Sequence, residues 1–263
     1  MIRFTGYKQS PPDSRDYTQE NTPQKFKHIW HTLDSIKTPD RFYLWTNWPK
    51  IEDQLLHGAC VLNGATTIIE YNQLEREGRY DERSRRGAYY DCLCRDKPEG
   101  PLEDVGTTPR TAMWVASHIG VGLESLCPYD VQDFFLKPSD EYYADAAKRK
   151  IRAYFRIEKF RHITACLAIR KPPIIAIPLY DSFFWDETVK TGIVPYPSLI
   201  QLWRGPRGYH LVTAGDFDHN KERIGFANSY GLNWGNQGRF WLSYKYIEKL
   251  VLKNITDHWF ILK

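Results

Sequence analysis

Cys60 closes the stretch IEDQLLHGAC and opens an amphipathic run, CVLNGATTIIEYNQLEREG. A thiol at the start of a helix meets unpaired N–H groups and the positive end of the macrodipole, both of which favour thiolate. The chemistry that follows is nucleophilic. The alternative at this point is a small buried apolar side chain, a common role for free cysteine. Acyl transfer on a thiol also requires a base, a group that orients the base, and donors for the oxyanion. His210, in GYHLVTAGDFD, stands in an alternating stretch and reads either as that base or as a structural strand histidine. Asn228, in FANSYGLNWGNQGRFWL, ends the next such stretch at a Gly-rich turn, where its amide either orients a base or bonds its own turn.

The elements that must bring these residues together follow from periodicity. The run after Cys60 places Val61, Ala65, Ile68, Ile69 and Asn72 along one side of a helix that stops at Gly78. RRGAYYD reads as a short helix followed by a surface loop, since Pro98, Gly100 and Pro101 interrupt what comes next. TTPRTAMWVASHIG has a threonine cap, Pro109 in the first turn and Gly120 at the end, which predicts a second long helix. SDEYYADAAKRKIRAY, capped by Ser139, and HITACLAIRK predict two more. From residue 173 onward β-branched and aromatic stretches dominate: PIIAIPLY, GYHLVTAGDFD, ERIGFANSY, GRFWLSYKY and HWFILK. A helical front and an antiparallel back predict an α+β chain with two lobes.

The composition narrows the function classes. With 36 Lys and Arg against 32 Asp and Glu the formal net charge is +4, without a basic block, so no nucleic-acid partner is expected. The first residues show no apolar core with a cleavage site, and the longest apolar run is too short to span a bilayer, so no membrane partner is expected either. Five cysteines without a secretory leader predict free thiols in a reducing, cytoplasmic setting. Cys92 and Cys94 form a C-x-C, but no second pair follows at zinc-site spacing, so no metal is assigned. Cys127 and Cys166 read as packing residues.

Taken together, these residues resemble the papain/cathepsin family of cysteine peptidases. Gln54, Gly58 and Cys60 match that family's Q-x-x-x-G-[SA]-C pattern, GYHLVTAGDF resembles its histidine strand with Gly215 in place, and NSYGLNWGNQGRFW is similar to its asparagine motif. VGTTPRTAMWVASHIGVGLESLCPYD is similar to the family's second helix and the PY after it, so the resemblance runs over roughly residues 42–247. It implies a papain-like two-lobed α+β fold filling 1–263, with a helical lobe over about 42–125, a β-rich lobe over about 126–263, and the site in the cleft between. It further implies Cys60 as nucleophile, His210 as general base and later acid, Asn228 as orienter of the imidazole, and Gln54 as an oxyanion donor beside the Cys60 N–H. A thiolate–imidazolium pair is expected before substrate arrives. Substrate main chain is expected along Gly106, Thr107 and Thr108, with Pro109 and Tyr209 lining a side-chain pocket.

The sequence departs from the family at three places. His57 replaces a disulfide cysteine and reads as a loop residue, Val61 replaces a tryptophan, and Tyr230 replaces the tryptophan that covers the histidine–asparagine bond, with weaker shielding expected. The 53 residues before Gln54 hold no evident self-inhibiting segment, as in propeptide-free bacterial and viral relatives. The implied activity is a cysteine endopeptidase that needs no cofactor and takes a protein or peptide substrate. The alternatives are a papain-fold binding component, for instance of a virion, and an amidase acting on peptidoglycan-type peptides.

Overall fold

The computed structural model describes residues 6–129, 132 and 134–263. The first five residues of the stretch read as lacking a leader lie outside it. Helix α1 (Lys27–Ser35) and strand β1 (Arg41–Tyr43) precede α2 (Cys60–Glu77), α3 (Arg85–Asp96) and α4 (Pro109–His118). After α5 (Asp140–Ala146) come β2 (Ala153–Arg156), α6 (Phe160–Ala168) and β3 (Ile174–Leu179). The short helices α7 (Asp186–Thr191) and α8 (Leu199–Arg204) lead to β4 (Gly208–Asp218), β5 (Arg223–Ala227), β6 (Arg239–Ser243) and β7 (His258–Leu262). The strands form one sheet in the order β2-β7-β3-β4-β5-β6, with β1 also paired to β4.

Helix α2 begins at Cys60 and ends where Gly78 takes a left-handed conformation and donates its N–H to the Leu74 carbonyl. It is not one-sided, as its sequence suggested. Every residue from Cys60 to Leu74 is buried, because α3 and α4 pack on one side and β4 on the other. Its polar side chains survive burial by bonding back to the helix itself: Asn63 Nδ2 donates to the Ala59 carbonyl at 2.9 Å, Thr67 Oγ1 to Asn63 at 2.7 Å and Asn72 Nδ2 to Ile68 at 2.7 Å.

Thr108 caps α4 through the Thr111 N–H, Pro109 occupies its first turn, and Ser139 caps α5, all as expected. The helix expected to run through SDEYYADAAKRKIRAY stops at Ala146, and Ala153–Arg156 turns into β2. Alternate burial explains this: Ala153 and Phe155 face the core while Tyr154 and Arg156 are half-exposed, a period of two that a helix cannot satisfy. Helix α1 buries Ile29, Trp30 and Leu33 against α6.

Two apolar cores lie on opposite faces of β3, whose Ile175, Ile177 and Leu179 enter one and whose Ile174 and Ala176 enter the other. The first core gathers α1, α6 and the aromatic residues of the later strands, and the second gathers α2, α3 and α4. The sheet therefore draws α1 and β1 from before Cys60, so its core is discontinuous in sequence. Among the described residues no helix is long and apolar enough to cross a membrane.

Phe155 anchors the joint between α1 and β2, with Phe26 edge-on at 5.4 Å, Trp30 at 6.2 Å and Phe260 stacked at 5.0 Å. Phe155→Ala removes a fully buried ring and is expected to cost about 3–5 kcal/mol, read as a lower urea midpoint at unchanged slope.

Candidate active site

Each predicted catalytic residue is buried where an element ends or two elements meet. Cys60 is the first residue of α2, His210 lies near the start of β4, and Asn228 directly follows β5. His210 Nε2 bonds Asn228 Oδ1 at 2.8 Å. The Asn228 oxygen can only accept, so the ring carries its proton on Nε2, and Nδ1 is left as the nitrogen that can take a proton from a thiol. Nδ1 is buried and has no hydrogen-bond partner among the described residues.

The cysteine turn and the asparagine turn are joined main chain to main chain. The Gln54 N–H donates to the Ser229 carbonyl at 2.9 Å and the Gly231 N–H to the Glu52 carbonyl at 3.1 Å. Ser229 Oγ donates to Gln54 Oε1 at 2.6 Å, which fixes the amide so that its nitrogen points the other way. That nitrogen donates one hydrogen to the His57 carbonyl at 2.7 Å. An amide nitrogen has two hydrogens, and an oxyanion role requires the second. Ser229 is a functional residue missed from sequence, although it sits inside the motif NSYG.

Electrostatics here run against the helix dipole. Burial pushes the Cys60 thiol up to about 12, although the backbone N–H groups of Leu211, Val61, Cys60 and Tyr7 pull in the opposite direction. Burial likewise pushes His210 down to about 4, with the Asn228 bond opposing it. Both groups are therefore neutral near pH 7. This corrects the expected thiolate–imidazolium pair: desolvation of a fully buried site outweighs the partial charge of one helix terminus.

The three departures from the family pattern each have a structural outcome. Tyr230 stacks on the His210 ring at 5.0 Å between centroids and is itself packed edge-on by Trp234 and Phe183. His210 is fully buried, so the shielding expected to weaken is maintained. His57 is a loop residue: its ring stacks on Phe134, and its Nδ1 lies 3.3 Å from Asp104. Val61 is buried in the helical core.

Asp104 and Tyr89 were not singled out in sequence, yet they tie the walls of the cleft together. Asp104 accepts the Gly58 N–H at 2.9 Å and the Tyr89 hydroxyl at 2.7 Å, and that hydroxyl accepts the Gly106 N–H at 2.8 Å. Of the predicted substrate-binding residues, Gly106 and Thr107 form the edge opposite Gly58, Thr108 and Pro109 start α4, and Tyr209 lies partly exposed beside His210. All five cysteines are free; Cys92, Cys127 and Cys166 are buried and Cys94 is half-buried on α3.

No family model matches the chain. It is 27% identical over 278 residues to an uncharacterized peptidase C1-like protein of Acanthamoeba polyphaga mimivirus, spanning 99% of this chain and 87% of that protein. It superimposes on xylellain, a cysteine protease from Xylella fastidiosa, with a TM-score of 0.81 at 25% identity, covering 99% of this chain and 96% of that one. Sequence and fold are thus similar to those of papain-like cysteine peptidases. The papain-like fold extends to procathepsin B S9 of Trypanosoma congolense, at a TM-score of 0.71, 17% identity and coverage of 98% and 85% of the two chains. The two-lobed α+β arrangement expected from sequence is thus the observed one.

In this papain-like site the depressed His210 has a measurable consequence. Unfolded, the imidazole titrates near 6.5; folded, near 4. The unfolded chain therefore binds the extra proton first, and the stability this residue contributes is present above pH 6.5 and lost as the pH falls towards 4. Between pH 7 and pH 4 the wild type should lose about 3 kcal/mol more stability than His210→Gln, measured as the difference in urea unfolding free energy at the two pH values.

Proposed function

We propose that the chain is a cysteine endopeptidase that hydrolyses peptide bonds through a thioester on Cys60. The observation that carries this reading is the His210–Asn228 bond, which leaves Nδ1 as the imidazole nitrogen able to receive the thiol proton. In the first step Nδ1 takes the Cys60 proton while the sulfur attacks the scissile carbonyl carbon. The Cys60 N–H and the Gln54 amide stabilise the oxyanion. Collapse of the tetrahedral adduct breaks the C–N bond, and the imidazolium returns the proton to the leaving amine. Water, deprotonated by the same nitrogen, then attacks the thioester and regenerates the thiol. Asn228 holds the ring in the productive tautomer throughout, and Tyr230 keeps water from competing for that bond. Kinship with cysteine proteases such as xylellain supports the reaction class.

The protein or peptide substrate would lie extended along Gly106, Thr107 and Thr108, with Pro109 and Tyr209 beside its side chains. The complete burial of Cys60 favours a second reading, a papain-fold binding component that does not cleave. One assay separates the two. Purified protein is incubated with a denatured proteome and the new chain termini are identified by mass spectrometry. New termini that vanish in Cys60→Ala support the peptidase; products that persist in Cys60→Ala, or none from the wild type or from variants with an exposed thiol, refute it. Gln54→Ala should lower kcat about 100- to 1000-fold with little change in KM, the loss typical of one oxyanion donor.

A further inference from the structure

Helix α8 (Leu199–Arg204) is turned inside out for a helix on a globular protein. Its outward face carries Leu199, Ile200 and Trp203, which are 84%, 63% and 86% exposed, while Gln201 is buried. Positions 199, 200 and 203 have the i, i+1 and i+4 spacing that brings side chains to one side of a helix. The helix's own cap explains the buried amide. Gln201 Oε1 accepts the Ser198 N–H at 3.1 Å and Ser198 Oγ accepts the Gln201 N–H at 3.3 Å, which closes a capping box. Leu202 packs against the core beneath. Cap and core together fix the orientation that leaves three large apolar side chains in water. Single exposed apolar residues are ordinary on a protein surface, but three on one helical turn form a patch.

The charge around this turn has one sign. From Thr188 to Gly215 the chain carries Lys190, Arg204 and Arg207 and neither Asp nor Glu. Arg204 and Arg207 border a surface hollow of about 490 Å³ that Asp181, Gly205 and Pro206 complete. Arg207 Nε donates to Asp181 Oδ1 at 2.6 Å, whereas Arg204 is exposed and has no ion pair among the described residues. An apolar turn beside an unneutralised guanidinium suits a surface that is apolar within and anionic at its rim, and a guanidinium meets phosphate oxygens in a bidentate fork.

Other occupants fit this turn less well. Three side chains, even fully covered, contribute a few hundred Å², against about 800 Å² per partner in a standard protein interface, so a second copy seated on them alone would not hold. Exposures above four-fifths place Leu199 and Trp203 on a crest, for which a protein partner needs a matching recess. A lipid layer yields to any shape.

We propose that α8 is a membrane-surface anchor: Leu199, Ile200 and Trp203 enter the headgroup boundary of an anionic bilayer, and Arg204 and Arg207 meet its phosphates. The expectation of no membrane partner rested on the lack of a spanning run, and a turn lying in the interface needs none. Trp203 suits that depth because its ring is apolar while its indole N–H still reaches water or a headgroup oxygen. His210 follows Arg204 by six residues, at most about 22 Å of extended chain, so the anchor holds the cleft near the lipid. The proposal does not depend on the peptidase reading.

The test is co-sedimentation of the full-length chain with two kinds of vesicle, one of phosphatidylcholine alone and one of equimolar phosphatidylcholine and phosphatidylglycerol. The wild type should bind the mixed vesicles at least about tenfold more tightly than the neutral ones, and added salt should reduce the difference. Binding should shift tryptophan emission to the blue. Leu199→Ser combined with Trp203→Ser should weaken binding at least about tenfold and remove the shift. Arg204→Gln should weaken it about fivefold, the effect of one cation at an anionic surface. The three side chains are exposed, so the variants should keep the wild-type urea midpoint, which separates lost binding from lost fold. No binding by the wild type, equal binding to both vesicles, or undiminished binding by the folded double variant would overturn the anchor. A wild type that ignores vesicles but dimerises with rising concentration, and is monomeric as the double variant, would overturn it in favour of a second copy.

Discussion

A thiol, an imidazole and an amide spread from residue 60 to residue 228 can cooperate only if the elements that carry them cannot slide. Here that requirement is met by laying α2 directly on β4. Gly64, one turn into the helix, leaves room for Ile174 and Leu211 to approach its backbone, and an added Cβ would lie only 3.2 Å from Ile174. Leu211 adjoins His210, so the contact that seats the helix also reaches the strand residue next to the imidazole. Because α2 is buried on all sides, any shift would break packing in the helical core and against the sheet together, and Cys60 inherits that rigidity.

The same burial decides the protonation state. A helix terminus offers partial charge, and four backbone N–H groups surround the sulfur, yet the thiol still titrates far above neutrality. Charge separation between Cys60 and His210 would place both ions where no water reaches either, and a buried charge costs more than a dipole of half a charge returns. The site is preorganised in geometry but not in charge. What separates the two is solvent access, which makes the ring shielding by Tyr230 and the covering of Cys60 by Tyr7 different in kind. The first covers the His210–Asn228 bond, and the second keeps water from the Cys60 thiol.

The residues that were legible in sequence are those whose signal is local. Cys60 with Gln54 and Gly58, His210 with Gly215, and Asn228 with its Gly-rich turn each lie within one short motif, and the five later strands declare themselves through β-branched and aromatic composition. The illegible parts depend on partners distant in sequence. Strand β2 has four residues and gains its identity from β7, more than a hundred residues later. Asp104 and Tyr89 acquire a role only because Gly58 and Gly106 face one another. Helix α2 looks amphipathic because Asn63, Thr66 and Thr67 are polar, and nothing in the sequence reveals that they bond back to their own helix.

The segment that pairs with Thr107 exploits the same geometry from the opposite side. Thr107 presents a main-chain donor and a main-chain acceptor, and Gly6 and Lys8 pair with both. Most side chains would be excluded by the narrow gap between Gly58 and Gly106. A glycine passes, and the residue after it can reach the carboxylate of Asp257. Steric demand at one position and a hydroxyl donor at the next thus make a sequence-specific fit out of a generic backbone interaction.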